Sequence, residues 1–281
     1  MSSKCYTIRH PDLLLELRLI SSEKLLLHEQ TIREELERIA MEIERDGVVL
    51  HPVIVERERL VVLDGMHRVE ALRRLSSRRV PVCLVDYRSP SVKLRRWIRV
   101  FDLEVTSLLD ELDLMETSPD RALLSVDSRE VPWAVMTPRL GLIPKNEFSD
   151  LYTAYEKVKR VEGVIKELGG RISYEDEESA MKKLKSSEVP AVLVPPLAKK
   201  EEIISLAIEG KVLAPKSTRH VIPARPLFVR VPLDLLKSEE VSDEVANEIF
   251  ISSLMRRGVR HLGPGATLDR RYEEDLYIFD Y

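Results

Sequence analysis

Three short groups of residues carry side chains whose types and spacing could do chemistry. The first is Val61-Val62-Leu63-Asp64-Gly65-Met66-His67-Arg68. A β-branched apolar run meets Asp-Gly, Gly65 permits a sharp turn, and Val69, Leu72 and Leu75 then recur at helical spacing. This predicts a strand, a tight turn and a helix beginning near Gly65, where unpaired N–H groups and the positive end of the dipole favour a phosphate or other anion. Asp64 by itself could be no more than the helix N-cap. His67 and Arg68 oppose the dipole, however, so a helix shaped only for stability would avoid them, and a bound anion resolves the conflict.

The second group is His28-Glu29-Gln30, just ahead of a long amphipathic segment. A glutamate there either supports the helix dipole or presents a carboxylate to a site. The third, Lys216-Ser217-Thr218-Arg219-His220, combines hydroxyls, a guanidinium and an imidazole inside the proline-bounded stretch 211–223. Such a set suits a carboxylate or a phosphate, because Arg pairs in a fork and Ser or Thr add hydrogen bonds; a solvated basic loop is the plainer reading. It lacks the glycine frame of a P-loop.

These groups need a scaffold, and the chain is long enough for two domains. It has 281 residues, 44% of them apolar, with no apolar run of the ~20 residues that a membrane span requires. The N-terminus has no apolar signal core, which points to a cytoplasmic protein. Cys5 and Cys83 are too few for a disulfide framework and lack zinc-site spacing; Cys83 reads as a buried strand residue. A net charge of −4 excludes a global basic field, so nucleic acid is not expected as a partner. One glutamine and two asparagines among many Glu, Lys and Arg suggest a thermophile.

Along the chain, Ile32, Leu36, Ile39 and Ile43 share one helical face over 31–46, with Gly47 as the stop. Strands are expected at 53–55 and 60–63 around the turn Glu56-Arg57-Glu58-Arg59, a helix at 66–75, and a strand at 80–87. Leu94, Trp97 and Ile98 suggest a further helix leading toward Phe101, with Lys93, Arg95, Arg96 and Arg99 making it basic, and 103–114 could continue it. Thr117-Ser118-Pro119-Asp120 looks like a boundary. Beyond it come a strand at 132–137, helices at 147–168 and 175–187, a strand at 191–194 and a helix at 198–209, which together make a second α/β domain. A helix near 243–257 precedes Gly263-Pro264-Gly265 and an acidic, aromatic end.

Asp64-Gly65-Met66-His67-Arg68 after a strand resembles the phosphate-binding motif of the ParB/sulfiredoxin-like fold. Within that fold the chain is most similar to the SerK-type free L-serine kinases. His28-Glu29-Gln30, Asp64 to Arg68 and Pro215 to His220 agree with them in type and order, and Trp97 falls where they place a tryptophan near serine. The resemblance covers about 20–235. Sulfiredoxins need a cysteine before His-Arg; Met66 stands there, which removes that redox nucleophile. The serine kinases carry a histidine at this position, a second departure.

The resemblance implies an α/β (α+β) architecture: a ParB-like nucleotide-binding domain at 1–101, a second α/β domain at 102–235 that contributes the substrate loop, a helical extension at 236–281, and an active site in the inter-domain cleft. It implies a kinase that phosphorylates free L-serine with ADP or ATP and Mg2+, giving O-phospho-L-serine that could feed cysteine or other amino-acid synthesis. Glu29 would accept the hydroxyl proton, and Asp64 would orient the hydroxyl or the metal, with these two roles open to exchange. Gly65, Met66, His67 and Arg68 would hold the nucleotide phosphates. Ser217, Thr218, Arg219 and His220 would bind serine beside Trp97. The competing expectation is a ParB-like nucleotide-dependent DNA-binding protein that uses the basic segment 93–99.

Overall fold

The computed structural model describes residues 5–11, 13–268 and 271–280. Contacts divide the chain into two units: Met1–Lys93 with Ala207–Gly210 and His220–Tyr281, and Leu94–Leu206 with Lys211–Arg219. These divisions fall at different places from 101 and 235, and the C-terminal residues join the first unit.

In the first unit, β1 (Tyr6–His10) and β2 (Leu13–Ser21) form a hairpin, α1 spans Arg33–Asp46, and β3 (Val53–Glu56) and β4 (Val62–Asp64) form a second. Next come α2 (Met66–Arg74) and β5 (Arg79–Val85). The sheet order is β1-β2-β5-β3-β4, with β3 parallel to β5 and the other pairs antiparallel. Leu13, Leu15, Leu17 and Leu19 alternate inward along β2, the period of a half-buried strand. β5, Cys83 included, is buried along its length, as befits a strand with neighbours on both sides and both faces covered.

The ends of these elements have local causes. Gly47 closes α1 in the left-handed conformation at φ 63°, which glycine adopts without cost. The Glu56 carboxylate accepts from the Glu58 and Arg59 amides, both at 2.6 Å, which fixes the charged turn before β4.

The second unit holds a six-stranded antiparallel sheet. Its parts are β6 (Ile98–Phe101), β7 (Leu114–Thr117), α3 (Pro119–Asp127), β8 (Ala134–Met136), β9 (Gly141–Pro144), α4 (Leu151–Glu167), β10 (Ile172–Glu175), α5 (Glu177–Lys185) and β11 (Ala191–Val194). The order is β10-β6-β11-β8-β9-β7.

Two expectations are corrected here. Residues 94–101 are extended, not helical: Ile98 and Val100 enter the core on one face of β6, while Arg99 points to the other. Arg99 is fully buried, its Nε donating to Glu162 Oε1 at 2.6 Å on α4; Arg96, 3% exposed, donates to Asp127 and Glu177. The spacing of Leu94, Trp97 and Ile98 imitated a helix, and two of the four basic residues are interior ion pairs instead of a solvated face. Thr117–Asp120 is no boundary either, since Ser118 caps α3 by accepting from Arg121 N at 3.2 Å and so joins β7 to α3 within one unit.

The helix α6 (Asp243–Met255) lies against β2, where Asn247 Oδ1 accepts from Leu19 N at 2.8 Å. The C-terminal segment is not purely helical. β12 (Arg225–Leu227), β13 (Val259–Leu262) and β14 (Leu276–Phe279) form a sheet in the order β12-β14-β13.

Candidate functional site

The Asp64–Gly65 junction has the expected form with a different internal logic. Gly65, not Asp64, is the N-cap of α2; its φ of 99° is left-handed, and it carries no side chain to cap the helix. The first turn holds no acidic residue, so the amides there keep their positive end. A Cβ at Gly65 would stand 2.9 Å from Arg68 Nη2, so the glycine also makes room for the guanidinium.

Asp64 Oδ2 accepts from Arg225 Nη1 at 2.7 Å and from Arg68 Nη2 at 3.2 Å. Arg68 Nη1 donates to His51 O at 3.0 Å and also to Pro52 O. Arg68 is thus braced against the protein's own backbone and against Asp64. His67 Nε2 accepts from Ile32 N at 2.9 Å, tying the approach to α1 onto the start of α2.

The segment carrying Glu29 is laced to the same place. Leu26 N donates to Leu60 O at 3.0 Å, Val62 N donates to Leu26 O at 2.8 Å, and His28 Nδ1 donates to Val62 O at 2.7 Å. Glu29 is 7% exposed. Its carboxylate therefore belongs to a segment whose neighbours are fixed to β4, the strand that ends in Asp64.

His220 lies in this first unit. Its Nε2 is 2.8 Å from Tyr87 Oη, and its ring meets His28 edge to face at 5.6 Å. Burial, together with the neighbouring His28, holds its pKa well below 6.5, so it is a neutral imidazole at pH 7 and not a cation for a carboxylate. Burial likewise pushes His28 down to about 4. In the unfolded chain His28 gains a proton below pH 6.5, while in the folded chain it stays neutral to about 4, so stability falls as the pH drops through that window. The expected loss is about 3 kcal/mol from His28. Urea unfolding at pH 7.5 and pH 4.5 checks it: His28→Gln should flatten the dependence, and an unchanged slope would assign it to other groups.

In the second unit, Trp97 lies under two cations: Arg219 Cζ is 5.4 Å and Lys216 Nζ 5.8 Å from the ring centroid. Lys216 adopts a left-handed φ of 62°. Ser217 is turned inward; it is 1% exposed, its Oγ donates to Ala214 O at 2.6 Å, and its carbonyl lies 2.7 Å from Tyr155 Oη. Ser217 thus shapes the turn that presents Thr218 and Arg219, instead of offering its hydroxyl outward.

Sequence reasoning missed Tyr87, Arg225 and Glu274. Arg225, in Pro223-Ala224-Arg225-Pro226, is 4% exposed, and its Nε donates to Glu274 Oε1 at 2.7 Å. The only local signal was a charged residue framed by prolines.

The surroundings of Asp64 do not fit a resident metal. Its Oδ2 is shared by two guanidinium groups, and no group of three or more His, Cys, Asp or Glu suited to a metal occurs among the described residues. No described helix is long and apolar enough to cross a membrane.

No family model matches the chain. The ATP-dependent L-serine kinase of Staphylothermus marinus is 28% identical over 233 residues, covering 78% of this chain and 90% of its own length. The ADP-dependent L-serine kinase SerK of Thermococcus kodakarensis is 27% identical over 229 residues, covering 77% and 91%. A solved structure of a free serine kinase in complex with AMP matches with a TM-score of 0.67 at 25% identity, covering 78% of this chain and 93% of that one. In sequence and in fold, the chain is a homologue of the free L-serine kinases.

Proposed function

We propose that this protein phosphorylates the hydroxyl of free L-serine with an adenine nucleotide as donor. The observation that carries this reading is the start of α2, a helix N-terminus at a left-handed glycine with no acidic residue in its first turn, directly after a carboxylate braced by two arginines. It lies in a fold shared with a serine kinase solved with AMP.

Transfer requires a positioned hydroxyl, an acceptor for its proton and fixed positive charge at the phosphates. The amides of Met66, His67 and Arg68 and the α2 dipole hold the phosphates. Asp64 orients the hydroxyl, Glu29 receives the proton, and Arg219 pairs with the serine carboxylate beside Trp97 and Thr218. The serine Oγ forms a bond to the terminal phosphorus as the bond to the bridging oxygen breaks, so AMP leaves from ADP or ADP from ATP. Magnesium accompanies the nucleotide as its counter-ion; no protein cage is assigned to it.

The test is incubation with L-serine, magnesium and either ADP or ATP, read by phosphorus NMR. Phosphoserine is expected with at least one donor, and the co-product, AMP or ADP, identifies which. No phosphoserine with either would refute the reading. The DNA-binding alternative loses its main support, because the segment 93–99 is extended and buries Arg96 and Arg99.

A further inference from the structure

We propose that Arg225 is a positioning residue for the Asp64 carboxylate, and that Glu274, supplied by the C-terminal segment, keeps Arg225 in place. The proposal deepens the kinase reading and rests on it. Arg225 spans two carboxylates with different faces of one guanidinium: Nη1 donates to Asp64 Oδ2 at 2.7 Å and Nε to Glu274 Oε1 at 2.7 Å. The side chains of Arg225 and Glu274 are 5% and 6% exposed, so this contact is shielded from solvent.

Charge balance requires the pair. Asp64 already receives Arg68 Nη2, so with Arg225 two cations converge on one carboxylate oxygen. A buried guanidinium that shares its only carboxylate with another is poorly compensated. Glu274 brings the set Arg68, Arg225, Asp64 and Glu274 to neutrality. Burial works against the charge of Arg225, and the two carboxylates more than offset it, raising its pKa above the usual arginine range.

Backbone pairing fixes the register. Arg225 N donates to Asp275 O at 2.9 Å, and β12 runs parallel to β14 with Arg225 opposite Leu276, which delivers Glu274 to the guanidinium. His261 Nε2 lies 2.6 Å from Asp275 Oδ1 on the same turn. A continuous path therefore leads from the C-terminal sheet to Asp64, whose next residue is the N-cap of α2. Displacing Asp64 shifts both the carboxylate facing the substrate and the amides facing the phosphates, and a misplacement of ~1 Å can cost ~10²-fold in rate.

The test uses the full-length chain with Arg225→Gln and Glu274→Gln, each alone and combined with Asp64→Asn. Phosphoserine formation and ADP affinity by calorimetry are both measured. Each single variant should lower kcat by about 10- to 100-fold while the serine KM stays within about threefold. In the Asp64→Asn background, neither should add a further loss, since both act through Asp64. Equal losses in the two backgrounds, or full turnover in the single variants, would overturn the proposal. If Arg225→Gln does not fold, Glu274→Gln, at the far end of the path, carries the same test. If the parent protein makes no phosphoserine, the kinase reading fails separately, and the cycle in ADP affinity still decides: losses that do not add support the path, and additive losses overturn it.

Discussion

Glu29→Gln should lower kcat for phosphoserine formation by ~10²–10⁴-fold, or about 3–5 kcal/mol of transition-state stabilisation, with little change in either KM. The substitution keeps the volume of a side chain that is 7% exposed and removes its negative charge and with it the capacity to take up a proton. Its segment is held by the Leu26 pairing with Leu60 and Val62, the His28 contact with Val62 O and the Ile32 contact with His67, all of which the substitution leaves in place. The unfolding midpoint should therefore stay close to that of the parent. Asp64 Oδ2 accepts N–H bonds from Arg225 and Arg68, an arrangement suited to orientation, which accords with the proposal that Glu29 takes up the proton. Steady-state kinetics of Glu29→Gln beside Asp64→Asn checks the division; turnover within about threefold of the parent in Glu29→Gln would remove it as the acceptor.

How much of this could be read from the chain depends on the range of the forces involved. The run from the strand through Asp64-Gly65 to the helix was legible because a β-branched run, a glycine with positive φ and a helical repeat act over a few neighbours. Helices over Arg33–Asp46, Leu151–Glu167 and Asp243–Met255 were legible for the same reason, their termini carrying Gly47, Asp150 and Ser242 as caps. The hairpin of β1 and β2 was not assigned, although Leu13, Leu15, Leu17 and Leu19 alternate plainly. Segment 94–101 failed for a deeper reason. The apolar spacing was helical by coincidence, and the partners that allow Arg96 and Arg99 to be buried, Asp127, Glu177 and Glu162, come from elsewhere in the fold.

The candidate site divides along the same line. Glu29, Gly65 and Arg219 announce themselves by residue type beside local signals. Arg225 does not, because its meaning lies in Asp64, 161 residues earlier, and in Glu274, 49 residues later. His220 is expected among the serine-binding residues only as part of the run Lys216 to His220. Burial against His28 and Tyr87 makes it neutral, and residue order carries no information about that burial.

Arg219→Ala should raise the serine KM by about 10- to 100-fold, the loss of charge-assisted hydrogen bonds worth ~1.5–3 kcal/mol, with kcat changed much less. The guanidinium is pre-oriented, lying 5.4 Å from the Trp97 centroid, so little side-chain entropy remains to be lost when a carboxylate binds. Arg219→Lys should fall between parent and alanine variant, because an ammonium keeps the charge over Trp97 and loses the fork that matches a carboxylate. The decisive comparison replaces serine by serinamide, which keeps the hydroxyl and removes the carboxylate charge. Parent and Arg219→Ala should then have KM values within about threefold of each other. An unchanged serine KM in Arg219→Ala, or an equal defect with serine and serinamide, would take Arg219 out of carboxylate recognition and leave it a support for Trp97.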